Sequence, residues 1–228
     1  SNELDAVLAG EFTIKDLPAA FQTFLNKYYP SYIKPSRSTL KNENFSFVIT
    51  TKNIQDYLDI FVKDLKGFNY STITGRINNK ENLLDLNADI PQFSYKNIAL
   101  YNVTLKGSGT LSNLSLETGI GDIYINDSLH FPVTAISVNS ANDVSEVKIT
   151  TSANQTLNAA RISAKVNTRR NGVSIHLNES SFDINGKNWI IEKNGELILS
   201  KDLVSAEGIK IYNGQQEIRI TTAPSDIG

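Results

Sequence analysis

This sequence predicts a mainly β protein built on antiparallel strands, and three observations predict it. Short segments alternate apolar and polar residues. Turn-forming residues recur at roughly 8–12 residue intervals. Helical periodicity is confined to two stretches before residue 67. Strands of period two bury one face and wet the other. A parallel α/β fold needs helices between its strands, and no helical stretch follows residue 67.

The first helical stretch is DLPAAFQTFLNKYYP. Leu17, Phe21, Phe24, Leu25 and Tyr28 recur on one helical face. Asp16 is placed to cap it, Pro18 falls in its first turn and Pro30 stops it. The second is NIQDYLDIFVKDLKG. Ile54, Tyr57, Leu58, Phe61, Val62 and Leu65 form its stripe, with Asn53 as cap and Gly67 as terminator. Residues 1–67 are thus expected to hold strands and two amphipathic helices packed on the sheet. Residues 68–228 are expected to hold an antiparallel β-groove, the whole forming one continuous unit.

The strands follow in order. FSFVIT sets Phe45, Phe47 and Ile49 on one side, and LLDLNADI does so with Leu84, Leu86, Ala88 and Ile90. LSNLSLET offers Leu114 and Leu116, with Leu111 out of phase. Ile162, Ala164 and Val166 continue the pattern, then Val173, Ile175 and Leu177, then Ile209, Ile211, Ile218 and Ile220.

SSFDINGKNWIIEKNGELIL contains the single tryptophan, Trp189. Asn185-Gly186 suits a two-residue type I′ hairpin that sets Phe182 opposite Trp189. Lys193-Asn194-Gly195 suits a three-residue hairpin loop with Gly195 in the left-handed region. That second register sets Ile191 opposite Leu197 and Trp189 opposite Leu199. The segment reads as a three-stranded meander with Trp189 in its apolar side.

Composition narrows the function. The chain has 228 residues, a formal charge of -2 and no cysteine. At 40% apolar and 20% charged it is globular. The charge gives no footprint for nucleic acid, and thiolate metal sites are absent. No run approaches the roughly 18 apolar residues of a membrane helix. The chain reads as a segment of a longer protein whose anchor lies outside it. The two histidines, His130 and His176, have no neighbouring His or Cys in sequence to form a ligand pair; His176 falls on a polar strand face. GSGTLS lacks the third glycine of a dinucleotide loop, and GIGDIYIND reads as a strand flanked by turns. Arg169 and Arg170 read as a polar hairpin tip, or as a contact for an anionic headgroup. No catalytic motif, cofactor or metal site is expected.

Several stretches carry a family likeness. NADIPQFSYKNIALYNVTLKGSG, PVTAISVNSANDVSEVKITTSANQTLNAARISAKVNT, GVSIHLNESSFDINGKNWIIEKNGELILSKDLVSAEGIKI and QQEIRITTAPSDIG resemble segments of TamB-type translocation and assembly module proteins. The likeness is to the Bacteroidota versions within the AsmA-like superfamily. It covers the chain from about residue 40 onward, and SSFDINGKNWIIEKNGEL is its most specific part. The resemblance implies a periplasmic segment of an inner-membrane-anchored protein. Its fold would be a long antiparallel sheet curled into a taco-like groove with an apolar inside. It further implies phospholipid delivery to the outer membrane and support of outer-membrane protein assembly. A BamA-like barrel partner would be met through other parts of the parent. Asp127-Ser128-Leu129 resembles the O-glycosylation acceptor of Bacteroidota, with Ser128 as the acceptor.

Residues and resemblance together give a lipid-groove expectation on Leu86, Leu116, Ile149, Val166, Ile175, Trp189 and Leu199. The helices are expected to plug one sheet end rather than act as a lid. Two other roles remain open: a scaffold pairing with nascent outer-membrane strands, and a β-sandwich module binding glycan through Trp189.

Overall fold

The computed structural model describes residues 2–36, 43–62, 64–126, 129–152, 157–201 and 204–222. One antiparallel sheet of 17 strands runs through them. Its first strands are β1 (Leu4–Glu11), β2 (Asn44–Thr51), β3 (Leu65–Gly67), β4 (Thr72–Asn78) and β5 (Leu83–Tyr95). β1 pairs with β2, β2 with β4 and β4 with β5, while β3 extends the lane of β4 along β5. An up-and-down meander follows: β6 (Ile98–Gly109), β7 (Leu114–Ile125), β8 (Leu129–Ala141), β9 (Val144–Ser152) and β10 (Leu157–Arg169).

Beyond β10 the next three lanes are each broken in two. β11 (Gly172–Leu177) and β12 (Ser180–Ile184) lie end to end along β10. β13 (Lys187–Ile191) pairs with β12, and β14 (Glu196–Ser200) pairs with β11. β15 (Val204–Glu207) then pairs with β14, β16 (Ile209–Asn213) with β13, and β17 (Gln216–Ile220) with β16. The sheet is not closed: among the described residues β1 and β17 form no ladder with each other.

Asn185-Gly186 makes the expected tight turn. Both residues have positive φ, 50° and 73°, and Phe182 faces Trp189. The second expected hairpin does not form. β13 and β14 run in the same direction, so residues 192–195 bridge a broken strand rather than reverse it. Ile191 faces Ser180 and Ile211, while Leu197 faces Ile175 and Ala206. Asn194, not Gly195, takes the left-handed conformation, at φ 85°. Gly195 is buried against β16, where an added Cβ would stand 3.0 Å from Ile209 Cγ1. Pairing of two long lanes along their full length outweighs the local turn preference.

α1 (Leu17–Tyr28) forms as expected after a short 3-10 turn over Ile14–Asp16. Asp16 makes no side-chain cap; its backbone instead closes that turn onto the Thr13 carbonyl. Phe24, Tyr28 and Ala20 are fully buried, but Leu25 is exposed, because the seat of the helix centres on the Ala20 side of the stripe. The second helix is shorter than its stripe. α2 (Gln55–Phe61) ends where Val62 turns extended, and Leu65 joins β3. The edge of β5 takes residues 65–67 as a strand, and Gln55 ties the helix to them through the Leu65 carbonyl and the Gly67 N–H. Asn53 does not cap α2. Of the expected stripe, Tyr57 and Val62 stay exposed and Ile54, Leu58 and Leu65 are half-buried, so it is not a fully buried one.

Candidate functional site

Cross-strand registers sort the side chains into ladders, and every expected groove residue falls on one face. The outermost ladder runs from Phe45 through Ile77, Leu84, Gly109 and Leu114 to Ser140 and Ser145. It continues through Val166 and Ile175 to Leu197. Leu86 and Leu116 belong to the next ladder, both facing Gly107. Ile149 lies in the third, between Ile136 and Ile162. Trp189 closes the fourth, which runs through Ile90, Val103, Ile120, Thr134, Thr151, Ala160 and Phe182. Leu199 faces Val173 and Val204.

All of these candidates are half-buried and none is fully buried. The opposite face carries Asn87, Lys106, Glu117, Ser137 and Lys148 in one ladder. At β8 and β9 the outermost and fourth ladders pass through Ser140, Ser145, Thr134 and Thr151, while the two between them stay apolar there through Val138, Val147, Ile136 and Ile149, and the candidates on this face retain solvent contact.

α1 covers one end of that face. Phe24, Tyr28 and Ala20 pack with Phe45, Phe47, Ile77, Leu84 and Leu114, and Leu86 and Leu116 border this cluster. Each large side chain so buried contributes about 1.5–3 kcal/mol. Phe21 meets Phe47 edge-on, with centroids 5.7 Å apart. Past Tyr28, the Tyr29 hydroxyl hydrogen-bonds Ser140 at 2.8 Å, and the Asp143 N–H donates to the Tyr28 carbonyl. The helix thus lies across the strands and leaves Val166, Ile175, Ile149 and Trp189 outside its cluster.

Midway along β5 to β8 the sheet creases. Pro91, Asn102, Gly121 and Val133 fall in one line across the strands, with φ 51° at Asn102 and 41° at Val133. Regular alternation would place Phe93, Leu100 and Ile123 on the face opposite Ile90, Val103 and Ile120. Instead they pack together, with Phe68 stacked on Phe93 at 4.8 Å. One extra residue per strand, aligned across four strands, swaps sidedness without a register shift between neighbours. The apolar face so continues past the crease and bends onto itself there.

His176 lies on the polar face as expected, 3.4 Å from Glu196. Arg169 and Arg170 stand at the β10–β11 hairpin, where Arg169 faces Gly172. GSGTLS supplies Gly107 and Gly109 to β6, opposite large side chains. Ser128 lies outside the described residues. The fold also brings together groups that sequence spacing hides: His130 sits 2.7 Å from Asp122. Comparison with protein-family models, curated proteins and solved structures finds no match.

Proposed function

We propose that this chain is a periplasmic segment of a TamB/AsmA-like protein whose apolar face carries phospholipid acyl chains between inner and outer membranes. In this reading it supports outer-membrane protein assembly without catalysis or cofactor, and any BamA-like barrel is met through other parts of the parent. One observation carries it: cross-strand apolar ladders run the width of the sheet, half-buried, while α1 covers only one end. Each CH₂ sheltered there is worth about 0.8 kcal/mol, so one acyl chain gains several kcal/mol. Near-equivalent positions such as Ile136, Ile149 and Ile162 favour sliding over lodging. Headgroups stay in water.

Photo-crosslinking tests this. A crosslinker at Leu116, Val166 or Ile175 is expected to capture phospholipid in a lipid-containing host, with adducts strongest at the latter two because Leu116 borders the helix. Ser137 and Thr150, on the polar face, are expected to capture none. Adducts at Ser137 and Thr150 without adducts at Val166 and Ile175 contradict the reading.

The exposed outer strands β1 and β17 favour a second role, edge pairing with nascent outer-membrane strands. Crosslinkers at Val7 and Arg219 that trap such strands, with no lipid at Val166, select that role.

A further inference from the structure

Past the crease, the polar face holds an aromatic group of its own. Ser94, Ala99, Tyr124 and His130 form one ladder, and Gln92, Tyr101, Asp122 and Pro132 the next. His130 stacks on Tyr124 with ring centroids 4.3 Å apart and planes 6° from parallel. Asp122 holds that imidazole through Nε2 at 2.7 Å. Tyr101 meets Tyr124 edge-on, at 5.7 Å and 88°. Tyr124 is nevertheless 41% exposed. His130 covers one face of its ring and Tyr101 fixes its tilt, while the residue keeps part of its surface in solvent.

Tyr101 and Tyr124 border a cleft of about 720 Å³. Ala99, a small residue, leaves room beside Tyr124, while Gln92, Asn97 and Asn126 bring side-chain amides to it. Asn97 Nδ2 donates to Asn126 Oδ1 at 2.7 Å, which leaves the Asn97 acceptor and the Asn126 donors for a ligand. Lys96 is the one cation among the lining residues.

We infer that this cleft, with Tyr101 and Tyr124 as its platform and Gln92, Asn97 and Asn126 as its polar contacts, binds an oligosaccharide. A sugar ring has an apolar C–H face that stacks on an aromatic plane, and hydroxyls on its edge that pair with planar amides. The cleft offers both, held rigid before binding, which lowers the ordering cost. Its volume falls within the roughly 300–1,000 Å³ of ligand sites. A single-stranded nucleic acid also stacks on aromatic rings, but it needs a run of cations along its backbone. An acyl chain finds too many amides here. The site lies on the face opposite Trp189 and does not depend on the lipid reading.

Calorimetric titration of the chain with cellohexaose, xylohexaose, chitohexaose and maltohexaose tests the assignment. Saturable binding of at least one is expected. Tyr124→Ala and Tyr101→Ala should each weaken it by about tenfold, while Ile14→Ser, an exposed change ahead of α1, leaves it unchanged. On titration of the unaltered chain, the NMR signals of Asn97, Tyr101 and Tyr124 should shift and the Trp189 indole should not. That measurement holds even where an alanine variant fails to fold. No saturable binding of any of the four sugars overturns the inference, as do shifts confined to other residues or binding indifferent to both alanine changes. Lipid adducts at Val166 should survive Tyr124→Ala, so the two sites fail separately.

Discussion

The hydroxyl of Tyr28 donates to the carbonyl of Thr110 at 2.7 Å, and it reaches that carbonyl across a residue with no side chain. A Cβ at Gly109 would collide with the Tyr28 phenol oxygen. This one close approach seats the C-terminal end of α1 on the apolar face.

The first prediction follows directly. Gly109→Val should unseat the helix and destabilise the fold by about 1–3 kcal/mol, the usual cost of overpacking. Tyr28→Phe keeps the ring and loses one hydrogen bond, so about 1 kcal/mol is expected. Urea denaturation of both variants checks the order, with the valine variant the weaker.

Alkaline pH should act through the same residue. Burial pushes the Tyr28 phenol up to about 12 from an ordinary value of 10.0. A folded-state value above the unfolded one stabilises the fold fully below pH 10. That stabilisation is lost as pH rises from about 10 to about 12, because only the unfolded chain ionises at the start of that range. Tyr28→Phe should remove this part of the alkaline loss, leaving a flatter stability profile. Denaturation midpoints measured across pH 9–12 will show whether the two profiles diverge.

The crease makes a prediction of opposite sign. Val133 is β-branched, exposed, and held at φ 41°, a region costly for such a residue. Val133→Asn should raise stability by about 1 kcal/mol, since asparagine tolerates that conformation and no core contact is lost. A lower melting temperature for this variant would mean that the crease depends on the valine side chain.

Much of the architecture was legible because alternation is a local signal. Phe45, Leu84, Leu114, Val166 and Ile175 each fall on the apolar phase of their own segment's alternation, and registers through β2 to β11 place them in one ladder. Asn185-Gly186 was legible for the same reason, since two positive φ values demand such a pair. The breaks were not. Asn194-Gly195 has the composition of a hairpin, and only the β11–β14 pairing shows that the strand continues. Leu65 fits the stripe of α2 and yet joins a strand, because the edge of β5 is a partner distant in sequence. At the crease, a positive φ at valine has no sequence signal at all. That swap also hid the polar cleft: plain alternation puts Tyr101 on the side of Val103, and Tyr124 and His130 meet only through the β7–β8 register.

Trp189 offers the most direct test of the central claim, that acyl chains lie against the apolar face. It is the single tryptophan of the chain and stands half-buried on that face, opposite Phe182. Phospholipid brominated along its acyl chains should quench its fluorescence saturably, whereas lipid brominated only at the headgroup should not. Ile149→Glu should weaken that quenching. Trp189 emission indifferent to acyl-chain bromine, under conditions where lipid copurifies with the protein, would contradict the account.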